Sequence, residues 1–145
     1  MADSDVLEDN WNKRSEYIYK LSNLYAANSI PVKLRSVGIN PDEIDADTKL
    51  THKQIEILSR IEHNRWNMER LLLGTQPLTK VKRDNINSML GSSIPSEVEY
   101  AKAIKKNLQK KFYHKDIAPN SEIPASSKQY DTAIVTNILD VIRDV

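Results

Sequence analysis

The chain has 145 residues, with 21 Lys and Arg against 20 Asp and Glu, for a net charge of +1. A dedicated polyanion binder normally carries a larger basic excess, so we do not expect nucleic acid as a partner. Cysteine is absent, which excludes thiol catalysis, disulfides and thiolate metal sites. The three glycines, Gly38, Gly74 and Gly91, are far apart, which excludes the glycine-rich loops that bind phosphate.

No segment is typical of a signal peptide or a membrane span. The N-terminus is acidic and no apolar run follows it, unlike a secretory signal. The apolar clusters are far shorter than the roughly 20 residues that cross a bilayer. We therefore expect no membrane insertion of this segment and a cytoplasmic location, including as the cytoplasmic part of a membrane protein.

Apolar residues recur at helical spacing along the chain, which predicts a mainly α fold with minimal β content. The sequence predicts four main helices, at about 12–36, 51–73, 96–112 and 127–143. A short helical turn at 84–90, with Asp84 as its cap, is an additional expectation. The loop at 112–124 contains two prolines, so we expect it to be ordered and to hold at most a short extended piece.

Local signals mark the ends of these helices. Pro31 must bend or break the first one, because proline removes a backbone hydrogen bond and clashes with the preceding turn. Thr51 is a suitable N-cap for the second helix and Gly74 a suitable C′ residue. Ser96 opens a capping-box pattern before the third helix. In the second helix we expect a stripe of apolar residues to face the core: Ile57, Leu58, Ile61, Met68 and Leu72.

Glu62, Trp66 and Arg70 lie on a different stripe of the second helix, because residues four apart share a face. His63 lies beside Trp66. An indole, a guanidinium and an imidazole form a platform that stacks a flat ring and holds an anion, as nucleotide sites do. The alternative interpretation is that Trp66 packs in the core, as large aromatic residues usually do, while Glu62 and Arg70 form surface pairs.

Neither a metal site nor an enzyme active site is expected. His52 and His63 share a helix face but lie about 16 Å apart along it, too far for one zinc ion. No serine lies in a nucleophile-elbow pattern. We therefore predict a non-enzyme that carries no cofactor.

The third helix is strongly basic, with no acid among residues 101–115. This pattern fits either a solvated lysine face or a contact with nucleic acid or an anionic membrane surface. The contributing lysines are Lys102, Lys105, Lys106, Lys110, Lys111 and Lys115.

The segment Glu62-His63-Asn64-Arg65-Trp66 resembles the ryanodine-receptor (RyR) repeat domain, whose helix reads roughly glutamate-x-His-x-x-Trp before a glycine. Gly74 fits that glycine, and later elements follow the repeat's order over residues 55–143. These are His114, Ile117-Ala118-Pro119, Ile123 and Tyr130-Asp131. The aromatic pair expected after the glycine is absent, and Lys115 replaces a proline of the pattern.

The N-terminal part resembles the closing half of a preceding, degenerate repeat, through Trp11 and the segment 21–38. The resemblance therefore implies a half-repeat at 1–38, a linker at 39–50 and an RyR-like repeat at 51–145. The stretch at about 79–111 is longer than the usual connection and looks like a basic helical insertion. The implied fold is a set of antiparallel helices in which repeats pack as pseudo-symmetric pairs.

The resemblance also implies a function. Paired RyR-type repeats of bacterial proteins follow a TrkA-like nucleotide-binding domain or an ion-channel segment, so upstream domains of a longer chain are expected partners. Trp66 and Arg70 match the positions implicated in binding adenine nucleotides, and Asn23 is expected to face the same groove. We predict a regulatory module that binds an adenine-nucleotide-like ligand through Trp66, Arg70, Glu62, His63 and Asn23. The alternative is a structural protein–protein interaction module without a small-molecule ligand.

Overall fold

The structure is a computed structural model that describes the backbone of residues 2–144 and the side chains of 13, 14 and 16–144. The side chain of Trp11, which contributes to the N-terminal resemblance, lies outside the described residues. Helix accounts for 72% of the chain and strand for 3%. The predicted mainly α fold with minimal β content is therefore confirmed.

The helices are α1 (Ala2–Asn28), α2 (Ile30–Ser36), α3 (His52–Leu72), α4 (Lys80–Leu90), α5 (Pro95–Lys110), α6 (Ala125–Thr136) and α7 (Ile138–Arg143). Two-residue strands β1 (Gln76–Pro77) and β2 (Tyr113–His114) form a parallel pair. Short 3-10 turns lie at Pro41–Glu43 and Asn120–Glu122. Helix α3 packs chiefly against α6, and α4 packs against α5 as a hairpin.

The predicted break in the first helix is confirmed. Helix α1 ends at Asn28 and α2 begins at Ile30, with Pro31 in the first turn of α2. This position suits proline because the first N–H groups of a helix have no intrahelical acceptor. Helix α1 also begins earlier than the predicted residue 12.

Both predicted ends of the second helix are confirmed in α3. Thr51 caps its N-terminus in a reciprocal capping box with Gln54. Gly74 has φ +86°, and its N–H donates to the Leu71 carbonyl at 3.0 Å. The Thr75 N–H donates to the Arg70 carbonyl at 2.9 Å. These two bonds form a Schellman motif, which favours glycine at the left-handed position.

Three local predictions are wrong. The short turn capped by Asp84 is a full helix, α4, and Thr79 is its cap. The Ser96 capping box is absent, because α5 begins one residue earlier at Pro95, whose fixed φ suits the first helical position. The fourth predicted helix is divided at Asn137 into α6 and α7.

The predicted core stripe of α3 is also partly wrong. Met68 is 59% exposed and Leu72 is 79% exposed, whereas Leu58, Glu62 and His63 are buried. The buried face is polar because α2, α6 and the loop before α6 supply ionic and hydrogen-bonding partners to it. Apolar periodicity alone selects the wrong face, since it gives no weight to such partners.

The main apolar cluster joins distant parts of the chain. Leu34 of α2 packs with Ile138 and Leu139 of α7. Partly buried residues from α2, the predicted linker and α7 pack around them: Ile30, Ile39, Ile44, Leu50 and Ile142. Arg143 adds a polar link, because its guanidinium donates to the carbonyl oxygens of Asp45 and Thr48.

The β1–β2 pair positions the loop that follows α5. Gln76 pairs with Tyr113 and Pro77 with His114, and the Gln76 N–H donates to the Phe112 carbonyl at 2.6 Å. The pairing holds His114 beside the C-terminal half of α3. The predicted short extended piece in this loop is confirmed.

Candidate ligand-binding site

A cavity of about 800 Å³ opens between α1, α3, α5, β2 and α6. Its volume lies in the usual range for small-molecule sites. All five residues that the sequence predicts as ligand contacts line it: Trp66, Arg70, Glu62, His63 and Asn23. The helical stripe of α3 and the half-repeat residue from α1 therefore meet in one place.

Trp66 and Arg70 form an aromatic–cationic wall of this cavity. The Arg70 guanidinium carbon lies 5.4 Å from the Trp66 ring centroid and 5.9 Å from that of Tyr19 in α1. Both distances fit a cation–π interaction. His114 meets Trp66 edge-on, with centroids 4.9 Å apart and an interplanar angle of 74°. Trp66 is half-buried, so it is neither fully buried in the core nor fully exposed on the surface.

Arg70 has no carboxylate partner among the described residues. Its Nε atom is shielded from solvent and makes no hydrogen bond there. Guanidinium groups are well suited to bidentate recognition of carboxylate or phosphate. Arg70 therefore lines the cavity with at least one donor that the described residues leave unpaired.

Glu62 belongs to an ion-pair network inside the protein. Lys33 of α2 donates to Glu62 Oε2, and the Arg65 guanidinium donates to both carboxylate oxygens at 2.7–3.1 Å. Arg65 also pairs with Glu69. Burial acts to raise the pKa of Glu62, but the bonds from Arg65 and Lys33 outweigh it and hold the pKa below its ordinary value. Glu62 therefore stays ionised and ties α2 to α3.

His63 is likewise engaged on both ring nitrogens. Its Nδ1 lies 3.1 Å from Asp131 Oδ2 in α6, and its Nε2 lies 2.8 Å from the Ala118 carbonyl. Both partners are acceptors, so the geometry suits an imidazolium that donates twice. Burial acts to lower the pKa of His63, but the bonds to Asp131 and Ala118 raise it overall. His63 thus connects α3 to α6 and leaves only its ring face toward Trp66.

His114 was predicted as part of the repeat pattern but not as a ligand contact, and it also lines the cavity. Its Nδ1 accepts the Asp116 backbone N–H at 3.1 Å, which leaves the proton of the neutral ring on Nε2. Burial, with the nearby charges of Lys105, Arg70 and Lys115, lowers the pKa of His114 to about 4 against the opposing effect of Asp116. The ring is therefore neutral at pH 7.

Helix α5 contributes residues that the sequence prediction did not include in the site. Lys105, Lys106 and Lys110 also line the cavity. Their signal in the sequence is the acid-free run at 101–115, a pattern that a solvated lysine face explains more readily than a binding site. Which of these lysines face a cavity depends on how the α4–α5 hairpin packs, and no local pattern encodes that packing.

The structure shows neither a metal cluster nor a membrane-spanning helix in the part of the chain it describes. No group of three or more His, Asp or Glu side chains there is arranged to hold a metal ion. No helix among those residues is long and apolar enough to cross a bilayer.

Comparison with protein-family models, with curated proteins and with solved structures found no match to this chain. The resemblance to the RyR repeat therefore stays a prediction.

Proposed function

We propose that this chain is a non-catalytic ligand-sensing module that binds a nucleotide-like anion in the cavity between α1, α3 and α5. One observation carries the proposal: Arg70 has no carboxylate partner among the described residues and lies over Trp66 and Tyr19 in the wall of that cavity. The rings supply a surface for a flat base, and the guanidinium supplies donors for an anion.

A wall with these groups favours a ligand that has both a flat base and an anionic group. Stacking of one base on an aromatic side chain contributes about 1–3 kcal/mol. An anion beside Arg70 adds charge-assisted hydrogen bonds, which are stronger than neutral ones. A ligand with only a ring or only an anionic group would lose one of these contributions.

The pairing of the charged groups in the cavity supports the non-catalytic part of the proposal. Glu62 is ion-paired with Lys33 and Arg65, and Asp131 with His63. Such groups hold helices together and are poorly placed to exchange protons with a substrate. The sequence resemblance further suggests a cytoplasmic regulatory part of a larger bacterial channel- or TrkA-related protein.

A sensing role requires that the ligand favour one arrangement of the helices over another. A cavity whose walls come from α1, α3 and α5 supports such a role, because one ligand contacts helices that are far apart in the chain. A bound ligand that contacts both Tyr19 and Arg70 would hold α1 against α3. The ligand would thereby shift the orientation of the N-terminal half-repeat.

A thermal-shift screen against AMP, ADP, ATP, cyclic nucleotides, NAD and inorganic phosphate tests the proposal. Ligand at 100 times its dissociation constant adds about 2.7 kcal/mol of stability, which is readily seen at about 2–4 °C per kcal/mol. We expect a shift with at least one nucleotide that is lost in Trp66→Ala and Arg70→Ala. Arg60→Ala is the matched control, because Arg60 is an exposed arginine of the same helix outside the cavity.

A second candidate function is a structural protein–protein interaction module without a small-molecule ligand. The exposed apolar end of α3 favours it, through Met68, Leu71 and Leu72. This candidate predicts no nucleotide shift in the screen, together with a loss of stability in Trp66→Ala. The same two measurements therefore separate the two functions.

A further inference from the structure

The charges that line the cavity divide into two groups. The acidic ones have partners inside the protein: Glu62 pairs with Lys33 and Arg65, Asp116 pairs with Lys115, and Asp131 lies against His63. A second group of lining residues makes no ion pair with the described residues, and all of its members are cations: Arg70, Lys105, Lys106 and Lys110. The cavity therefore presents an uncompensated positive charge, although the whole chain is nearly neutral.

These cations face the cavity from two sides. Arg70 comes from α3, and the lysines come from α5. Burial, Lys105 and Arg70 together lower the pKa of His114, so the charges of both helices reach the same ring. Lys105 is half-buried, whereas Lys106 and Lys110 are exposed, and all three lie among the residues that line the cavity.

Like charges held together repel one another, and the repulsion is relieved when a counter-charge binds between them. A phosphate monoester carries about two negative charges at pH 7, which balances only half of this set. A second or third linked phosphate adds negative charge and brings the ligand closer to balance with all four cations. A volume of about 800 Å³ lies toward the upper end of the usual range for ligand sites, so it has room for a longer ligand.

We propose that the ligand is a nucleotide with a diphosphate or longer phosphate chain, whose phosphates lie between Arg70 and the α5 lysines while its base stacks at Trp66. This inference rests on the proposed function and adds the charge class of the ligand. It assigns Lys105, Lys106 and Lys110 as binding residues. Helix α5 of the α4–α5 hairpin then distinguishes ligands by the number of their phosphate groups.

Calorimetric titration of the full chain with AMP, ADP and ATP, without divalent cations, tests this inference. We expect ADP and ATP to bind at least tenfold more tightly than AMP. Lys106→Ala and Lys110→Ala should each raise the ADP dissociation constant about five- to tenfold, and that for AMP less than threefold. Lys102→Ala is the matched control, because Lys102 is on the same helix, pairs with Glu99 and lies outside the cavity; its affinities should stay within twofold of the parent.

The free protein gives a second readout that does not depend on the ligand. Removal of one cation from a repelling set should leave the melting temperature unchanged or raise it, so weaker ADP binding in these variants would not arise from unfolding. A melting temperature that falls with each lysine removed would contradict the uncompensated charge.

The outcomes separate this inference from the proposed function. If AMP binds as tightly as ADP and both depend on Trp66, the diphosphate assignment is overturned while the nucleotide module stands. If no nucleotide binds in a Trp66-dependent way, the proposed function itself fails. Pyrophosphate is the base-free probe: we expect it to bind more weakly than ADP and to lose affinity in Lys106→Ala. Equal affinity for pyrophosphate and ADP would contradict the stacked base.

Discussion

The ion-pair network at Lys33 offers the sharpest test of how α2 and α3 are held together. Lys33 is 2% exposed and Glu62 is 1% exposed. The network contains two acids, Glu62 and Glu69, and two bases, Lys33 and Arg65, so its charges cancel. Lys33→Met introduces an apolar side chain of similar length and removes the ammonium group. One buried negative charge of the network is then left without compensation.

The size of the effect follows from what Glu62 retains. Loss of one partner from a buried pair costs about 3–5 kcal/mol. Glu62 keeps its bonds from Arg65, so we expect the lower end, about 3 kcal/mol. For a chain near this size, the corresponding fall in melting temperature is about 6–12 °C.

Denaturant unfolding of a double-mutant cycle measures this energy. Glu62→Gln in the Lys33→Met background removes the uncompensated charge and leaves Arg65 balanced by Glu69, so the double variant should be more stable than Lys33→Met alone. Lys80→Met is the control, because Lys80 belongs to an exposed pair with Asp84 and such pairs contribute little. A Lys33→Met variant as stable as the parent, or a double variant less stable than the single one, would refute the reasoning.

Three further predictions concern the histidines and Gly74. Because the pKa of His63 is raised in the folded state, its contribution to stability is complete below about pH 6.5 and is lost as pH rises through the folded pKa. Chemical unfolding between pH 5 and 9 should therefore show a free energy of unfolding that falls as pH rises. His63→Gln should remove this pH dependence. Because the pKa of His114 is lowered to about 4, the Trp66 fluorescence of a Trp11→Phe protein should show a transition near that pH, and His114→Gln should abolish it. A transition near pH 6.5 that disappears in His114→Gln would contradict the burial of His114. Gly74→Ala meets no neighbouring atom within 4 Å but keeps a φ of +86°, so thermal unfolding should show a cost of about 1–2 kcal/mol from backbone strain, and a neutral result would contradict the Schellman geometry.

The fold was predictable from sequence wherever the signal is local. Pro31 marks the start of α2, while Thr51 and Gly74 mark the ends of α3, because each residue acts on its own backbone turn. The burial of α3 was not predictable in this way. Glu62 is buried because Lys33, 29 residues earlier in the chain, supplies its counter-charge. A periodic pattern within α3 does not show which distant cation will pack against it.

The candidate site was predictable in part. Helical spacing places Trp66 and Arg70 on one stripe, and the structure puts both in the cavity wall. His114 lies in the β1–β2 pair, and a two-residue parallel pair leaves little trace in a sequence. The α5 lysines join the wall through the packing of the α4–α5 hairpin. Local pattern therefore identified the part of the site on α3, whereas long-range packing determines the rest.

The most direct test of the central claim is a fluorescence titration of Trp66 in a Trp11→Phe protein with ADP. We predict a saturable change in emission that is absent in Arg70→Ala and preserved in Arg60→Ala, because the base stacks on Trp66 only when its phosphates are held. A Trp66 signal that stays constant at millimolar ADP, ATP and AMP in a folded protein would contradict the claim that this cavity binds a nucleotide.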